Sequence, residues 1–232
     1  MGAASEGADP VSSRRPRRST RSGSGQVWFS ERDGRLLEFV GEQYAVSVPQ
    51  LAWLIGRTQH AGRWLRDRWR RAGWIESRPL TYGGPSFVWL TSHGARIAQS
   101  PYRIWRPNVS MVGHIEAVTD VRLLLERELR LGDWICERSL AQDSPSRSKV
   151  RPHLPDGILD TGDEQIAIEV ELSLKSRSRL AAIVEQLGME HAQVWYFAAP
   201  SLRPALARLA AEAPWQNISV YSWPPRPSEL LR

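Results

Sequence analysis

Residues 155–175 read PDGILDTGDEQIAIEVELSLK, and the fold can be predicted from the pattern of these residues. Over residues 165–172, large apolar residues alternate with polar or small ones, which is the period of a β-strand with one apolar and one polar face. Residues 157–159 predict a second, shorter strand, and residues 161–164 predict a four-residue turn between the two. The stretch therefore predicts a β-hairpin.

The register of this hairpin would bring acidic residues together. Closing it at the predicted turn sets Asp160 opposite Gln165 and Asp156 opposite Glu169, and Glu171 follows two positions along the same face. Opposed residues have Cβ atoms about 4.5–5.5 Å apart, and like charges there destabilise a hairpin unless something compensates. A divalent cation with oxygen ligands, Mg²⁺ or Mn²⁺, is the usual compensation. The candidate metal ligands are therefore Asp156 and Glu169; the alternative is an exposed hairpin with solvated acids.

The pattern resembles the core of the PD-(D/E)xK nuclease superfamily. In that superfamily an Asp on one strand and a Glu on the next hold Mg²⁺, and a Lys two positions after the Glu assists the attacking water. Glu171 occupies the lysine position here, and Lys175 lies four residues further on. Lys149 and Lys175 are the only lysines among 31 basic residues, which favours a specific role for Lys175. The resemblance implies that Asp156, Glu169, Glu171 and Lys175 form a catalytic site.

Charge is unevenly distributed along the 232 residues, whose net charge is +6. Residues 26–110 carry twelve arginines and six acids, whereas residues 111–232 carry fourteen basic and seventeen acidic residues. A basic first half favours a nucleic-acid-binding module followed by a module of another kind. A single cysteine, Cys136, excludes an internal disulfide and suits the reducing cytosol. Without a membrane-length apolar run or a signal-peptide core, we expect a cytoplasmic protein with no membrane partner.

Residues 1–27 predict a disordered basic tail, because Gly, Ser, Pro and Arg dominate and such a composition buries little apolar surface. One interpretation is an arm that contacts DNA phosphates without sequence specificity. The alternative is an inert, solubilising leader. The arginines that would make the contacts are Arg14, Arg15, Arg17 and Arg18.

Residues 28–105 predict a winged helix-turn-helix domain, in which three helices precede a two-stranded wing. Ser30, Ser47 and Thr58 are suited to cap the three helices. The third helix, over residues 59–72, has an apolar stripe toward the core and arginines on the opposite side. The arginines on or beside this helix that we expect to bind DNA are Arg57, Arg63, Arg66, Arg70 and Arg71.

This run resembles bacterial winged-helix regulators, in which the recognition helix ends in Ala-Gly-hydrophobic and the wing leads to Leu-Thr-x-x-Gly. The matching positions are residues 72–74 (AGW) and 90–94 (LTSHG), with a wing tip at residues 82–85. The resemblance implies a helix that enters the major groove of double-stranded DNA. A merely solvated arginine face and a protein-docking winged helix remain the alternatives. Tryptophans concentrated in this region are interpreted as core or dimer-interface residues, which leaves a homodimer open.

Residues 111–223 predict a second domain, and residues 224–232 predict a C-terminal tail. The expected elements, in order, are a helix (112–131), a strand (134–137), a polar loop (142–152), the carboxylate hairpin, a helix (176–190), a strand (194–198), a helix (201–213) and a strand (218–221). Helix, three strands, helix, strand is the order of the restriction-endonuclease-like core. The expected fold class is therefore α/β (α+β), with a winged helix followed by an αβββαβ domain.

The first helix of this domain supplies one more candidate. Glu116 and Asp120 lie one turn apart on its polar side, and nuclease-like cores often place an acid from this helix near the metal. Glu116 is therefore added to the candidate site. His114, near the start of the same helix, is interpreted as a packing or capping residue.

The whole pattern resembles the replication-relaxation family of plasmids and integrative elements: a winged helix, a helix with His114 and Asp120, then Pro-Asp and Glu-x-acid. The resemblance implies a role in plasmid replication, DNA relaxation or transfer. Two classes stay open. One is a Mg²⁺- or Mn²⁺-dependent nickase or endonuclease. The other is a non-catalytic DNA-binding regulator or replication protein whose second domain serves dimerisation or partner docking.

Overall fold

The computed structural model describes residues 27–143, 153–173 and 175–230. Most of the expected basic tail, including Arg14, Arg15, Arg17 and Arg18, lies outside the described residues. The described chain is an α+β protein with two separate sheets, as the sequence predicts. No helix in the described ranges is long and apolar enough to cross a lipid bilayer.

The first module combines a helix-turn-helix with a small antiparallel sheet of order β1-β3-β2. Its elements are α1 (Glu31–Glu42), β1 (Val46–Ser47), α2 (Val48–Leu54), α3 (Gln59–Arg71), β2 (Ile75–Pro79), β3 (Ser86–Leu90) and α4 (Ser92–Ile97). Ser30, Ser47 and Thr58 cap the three helices as predicted, each accepting a backbone N–H with its side chain. Gly73 then ends α3 with a φ of 72°, a conformation that favours glycine.

The second module is built on a five-stranded sheet. Its elements are α5 (Val109–Arg122), a π-helix (Leu123–Glu128), β4 (Asp133–Cys136), α6 (Glu137–Asp143), β5 (Gly157–Asp160), β6 (Gln165–Glu171), α7 (Arg177–Glu190), β7 (Gln193–Ala198), α8 (Arg203–Glu212), β8 (Ile218–Ser222) and α9 (Pro227–Leu230). The strand order is β4-β5-β6-β7-β8. The first three strands pair antiparallel, and β6, β7 and β8 pair parallel.

The hairpin forms with the register that the sequence predicts, since Asp160 pairs with Gln165 and Ile158 pairs with Ala167. Gly157 begins β5, and a side chain there would collide with the ring of Trp134, to which an added Cβ would come within 2.1 Å. Glycine is therefore needed for β5 to pass β4 directly after Asp156.

The sequence predicts one apolar and one polar face for β6, but in the structure both faces are buried. From Ile166 to Glu171 every residue of this strand is buried. β6 is the central strand of the sheet, and apolar clusters that include residues of α5 on one side and of α7 and α8 on the other cover both of its faces. The alternative of an exposed hairpin with solvated acids is excluded for the same reason.

Three further elements differ from the sequence expectations. The first long helix stops being α-helical at Arg122 and continues as the π-helix, whose hydrogen bonds span one more residue. α6 begins where β4 was expected to continue, and Gln142 belongs to this helix instead of to a loop. α9 lies within the expected C-terminal tail, and Glu229 Oε2 accepts from the Ser222 N–H at 3.0 Å.

The two modules are packed together by shared hydrogen bonds and a shared apolar core. Gln50 Nε2 in α2 donates to the Glu116 carbonyl and to Asp120 Oδ1 in α5, both at 2.7 Å. Arg127 Nη2 donates to the Leu54 carbonyl at 2.8 Å. Leu123 of the π-helix is fully buried within the core of the first module. These contacts fix α3 relative to the sheet of the second module.

Candidate functional site

The three predicted acids meet at the edge where β6 ends. Asp156 directly precedes β5, while Glu169 and Glu171 lie on β6 and are only 2% and 3% exposed. Asp156 Oδ2 accepts the Val170 N–H at 2.7 Å, so this side chain is bonded to the strand that carries the other two acids. The geometry brings Asp156, Glu169 and Glu171 together as the sequence predicts.

His114 joins the site instead of acting only as a packing or capping residue. Its Nε2 lies 2.8 Å from Asp156 Oδ1. Burial disfavours the charged imidazole, but the hydrogen bond and the charge of Asp156 outweigh burial and raise the pKa of His114. One helical turn into α5, His114 faces the hairpin.

Glu116 is not brought to the carboxylates, which corrects the sequence-based assignment. Two residues along a helix point about 200° apart, so Glu116 and His114 face different sides of α5. The Glu116 carbonyl contacts Gln50 of the first module. Burial, and then the charge of Asp120, raise the pKa of Glu116. Glu116 and Asp120 therefore belong to the contact between the modules.

His153 is a site residue that sequence reasoning missed. Its Nε2 lies 2.9 Å from Glu169 Oε1, and the hydrogen bond to Glu169 raises the pKa of His153 against an opposing effect of burial. Gln186 of α7 fixes its backbone: the His153 N–H donates to Gln186 Oε1 and Gln186 Nε2 donates to the His153 carbonyl, both at 3.1 Å. The available signal was a histidine placed just before the Pro155-Asp156 pair.

Lys175 reaches the site from the segment that enters α7. Its Nζ forms an ion pair with Glu171 Oε2. The positive charge of Lys175 also acts on Glu169, whose pKa it lowers in part. The lysine that the sequence singled out is therefore within the electrostatic reach of the buried acids, although it arrives from outside the strand.

Glu169 has a strongly raised pKa. Burial, and then the negative charge of Asp156, raise the pKa of Glu169 to about 7 despite the partial compensation by His153 and Lys175. Its Oε2 is buried and has no hydrogen-bond partner among the described residues. The neighbouring Tyr196 hydroxyl is also buried without a partner, and burial together with the acids raises the pKa of Tyr196. Buried oxygens of this kind are normally satisfied by a hydrogen bond or an ion.

The donor set fits a magnesium or manganese ion with few protein ligands. In the described part of the chain, no three or more His, Cys, Asp or Glu side chains are grouped to hold a metal ion. Mg²⁺, however, commonly keeps several waters and uses one or two carboxylates together with substrate phosphates. Asp156 and Glu169 meet that requirement, because a half-buried acid adjoins a buried one and Glu169 Oε2 has no hydrogen-bond partner in the described part of the chain.

A cavity of about 210 Å³ opens beside the acids. Glu171 and Lys175 line one part of it, and Arg177, Arg208 and Ser201 line other parts. It lies where the parallel strands β6 and β7 end and the helices that follow them begin. The carboxyl ends of parallel strands are the usual position for ligands in open sheets, and the basic lining suits an anion.

The exposed side of α3 is basic, as expected. Leu65 and Trp69 face the core, whereas Arg63 and Arg70 are exposed. Arg66 differs from these two, because it is half-buried and its Nη2 lies 2.8 Å from Asp67 Oδ1. The remaining predicted contacts, which are also exposed, are Arg57 and Arg71.

Comparison with known proteins gives no relative. No protein family matches the chain, and no curated protein matches it. A solved structure described as "PigF with SAH" aligns with 84% of this chain and 66% of its own length, at 12% identity and a TM-score of 0.20. A superposition this poor carries no argument about fold or function. The case for function therefore rests on the residues.

Proposed function

We propose that this protein binds double-stranded DNA through α3 and nicks or cuts it at the Asp156–Glu169 site with Mg²⁺ or Mn²⁺. The replication, relaxation or transfer of a plasmid or mobile element is the setting that its resemblance to the replication-relaxation family implies. The observation that carries the proposal is the buried Glu169 carboxylate, which adjoins Asp156 and has one oxygen without a hydrogen-bond partner among the described residues.

Burial of Glu169 beside Asp156 supports this proposal because it is costly in the absence of a cation. A buried carboxylate loses hydration, and a second negative charge nearby adds repulsion. Both effects raise the pKa of Glu169, and His153 and Lys175 compensate for them only in part. Perturbed acids in a cleft are a common property of catalytic and ion-binding sites.

Each residue of the site has a distinct part in the proposed reaction. Asp156 and Glu169 would hold the ion, which when bound supplies a Lewis acid for a phosphate group. Lys175, whose charge already acts on Glu169, would stabilise negative charge that develops on the phosphate. His153 Nε2 is hydrogen-bonded to Glu169 Oε1, so this imidazole would be placed to exchange a proton with a water beside the carboxylate.

DNA docking on α3 supplies the substrate. Arg63 and Arg70 are exposed on one side of a helix whose other side is buried, which is the arrangement that lets a helix lie in the major groove. Their charges would neutralise phosphates or contact guanine edges. The contacts between the modules fix α3 relative to the sheet. DNA bound to α3 would therefore be held at a fixed position relative to the acids.

The decisive experiment incubates supercoiled plasmid with the full-length protein, with and without Mg²⁺ or Mn²⁺. We expect metal-dependent conversion to open-circular or linear DNA. Asp156→Asn and Glu169→Gln should each reduce the rate by at least about 100-fold. Asp163→Asn is the matched control, because this acid lies in the exposed hairpin turn and removes the same charge. Cleavage that persists in both site variants would contradict the proposal.

A second function has its own supporting observation. Glu171 stands in the position of the nuclease lysine and forms an ion pair with Lys175, so the lysine is partly neutralised. This arrangement favours a non-catalytic DNA-binding protein whose second module binds a metal or a partner. Metal binding and DNA binding without any cleavage would support this second function.

A further inference from the structure

The segment that connects the two modules borders a groove of about 520 Å³. Its lining combines positive charge with aromatic rings. The residues that matter are Arg103, Arg106, Arg138, Tyr44, Tyr102 and Trp105. No carboxylate is among the described residues that line it. This composition differs from that of α3, which has arginines but only one exposed aromatic residue, Trp64.

Arg138 organises the groove. Its guanidinium lies between two rings, 4.5 Å from the centroid of Tyr44 and 4.8 Å from that of Tyr102. The same group donates hydrogen bonds to the carbonyls of Gly41 and Arg103. Arg138 therefore holds the connecting segment against the first module and fixes a positive charge between two aromatic side chains.

The side chains of Arg103 and Arg106 are left available, because both residues are exposed and neither takes part in an ion pair in the described structure. Trp105 lies between them in sequence and packs edge-on against Trp89, with ring centroids 6.1 Å apart. An indole held by a second indole keeps a defined orientation. The exposed guanidinium groups of Arg103 and Arg106 thus lie on either side of Trp105 in the sequence, and Trp89 holds the Trp105 ring in place.

The groove also adjoins the acids. Tyr44 lines both the groove and a small cavity that contains His114, Glu137 and Asp156. The Tyr44 hydroxyl donates to Glu137 Oε2 at 3.0 Å. A chain bound in the groove would therefore end beside the residues that hold Asp156.

We infer that this groove binds single-stranded DNA and directs it toward Asp156. Grooves that bind single strands combine cations, which contact phosphates, with aromatic and arginine planes, on which bases stack. Duplex DNA would instead contact α3. A groove that mixes aromatic and basic side chains favours single-stranded DNA over an acidic peptide, because the peptide has no bases to stack. The direction toward Asp156 rests on the proposed function, whereas the binding does not.

The test measures binding of fluorescein-labelled dT15 and, separately, of a duplex probe to the full-length protein without added metal. Arg103→Ala combined with Arg106→Ala should weaken dT15 binding by about 10-fold or more at low salt. The slope of log affinity against log salt should fall by up to about 1.4, at about 0.7 per phosphate contact on a single strand. Duplex affinity should change by less than about 2-fold.

Arg32→Ala combined with Arg96→Ala is the matched control, because these exposed arginines remove the same charge elsewhere on the first module. An equal loss of dT15 binding in the control, or unchanged dT15 binding in the groove variant, would overturn the inference. So would poly-glutamate that binds the groove as tightly as dT15. No metal is present in this binding experiment, so its result does not depend on the nuclease proposal. A protein that never nicks plasmid can still bind dT15 through Arg103 and Arg106.

Discussion

Asp156 Oδ1 lies 2.8 Å from His114 Nε2, while Asp156 Oδ2 accepts the Val170 N–H at 2.7 Å. One carboxylate therefore joins a helix, the start of β5 and the C-terminal end of β6. Removing it should affect both the metal site and the packing of the hairpin.

Metal should stabilise the fold by mass action. A ligand that binds only the folded state adds about 2.7 kcal/mol at 100 times its Kd. We expect Mg²⁺ or Mn²⁺ to raise the Tm of the wild type, measured by differential scanning fluorimetry. Asp156→Asn and Glu169→Gln should each abolish this increase. A Tm that does not respond to metal in the wild type would show that the histidines, and not an ion, compensate the acids.

Stability without metal should fall as the pH rises from about 4.5 to 8. The pKa of Glu169 is raised above its ordinary value of 4.5 to about 7, so ionisation in the folded state is costly, and stability is lost between these two pH values. The pKa of His153 is also raised, so its contribution is present below 6.5 and is lost as the pH rises through its folded value. Both effects have the same sign.

Glu169→Gln should remove the larger part of this pH dependence, because glutamine stays neutral. The difference between wild type and variant, measured by urea unfolding at pH 5 and pH 8, should be on the order of 3 kcal/mol at most. Glu164→Gln, at an exposed acid of the hairpin turn, is the control and should retain the wild-type dependence. Parallel curves for wild type and Glu169→Gln would contradict the assignment.

Asp33 should be essential for the position of α3. This buried carboxylate accepts a hydrogen bond from the Ser30 N–H at 3.0 Å. It also forms an ion pair with Arg68 and accepts from Trp69 Nε1 at 2.9 Å. Asp33→Ala leaves the arginine and the indole N–H unpaired, so we expect a loss of about 3–5 kcal/mol in the free energy of unfolding. Glu31→Ala, two residues before Asp33 and exposed, should cost less than about 1 kcal/mol. Similar losses in the two variants would refute this role.

The arginines of α3 should contribute unequally to duplex binding. Arg63→Ala and Arg70→Ala should each reduce the slope of log affinity against log salt by about 0.9, whereas Arg66→Ala should reduce it less, because Asp67 partly neutralises Arg66. Asp67→Asn should tighten duplex binding. Fluorescence anisotropy over a range of salt concentrations measures both effects. Slopes equal to that of the wild type in all four variants would show that α3 is not part of the DNA interface.

Features that depend on residues close together in the sequence could be predicted, whereas features that depend on residues far apart in the sequence could not. The register of the hairpin follows from a four-residue turn and a short alternation, both within twenty residues, and it is confirmed. The burial of Glu169 depends on helices from elsewhere in the chain, which no local pattern reports. His114 meets Asp156 across 42 positions, so its role could not be inferred from its own surroundings. Lys175 could be predicted from its position shortly after Glu171 in the nuclease resemblance and from the rarity of lysine in this chain.

The buried position of Leu123 bears on how the protein unfolds. This residue belongs to the second module by sequence, yet it completes the core of the first, where Leu37, Val40 and Leu51 are also fully buried. Isolating residues 28–105 would open a cavity there, at a cost comparable to a Leu→Ala substitution of about 2–5 kcal/mol. The intact chain should therefore melt in one cooperative transition, with coincident curves by tryptophan fluorescence and far-UV circular dichroism. Two separated transitions would show instead that each module is an autonomous folding unit.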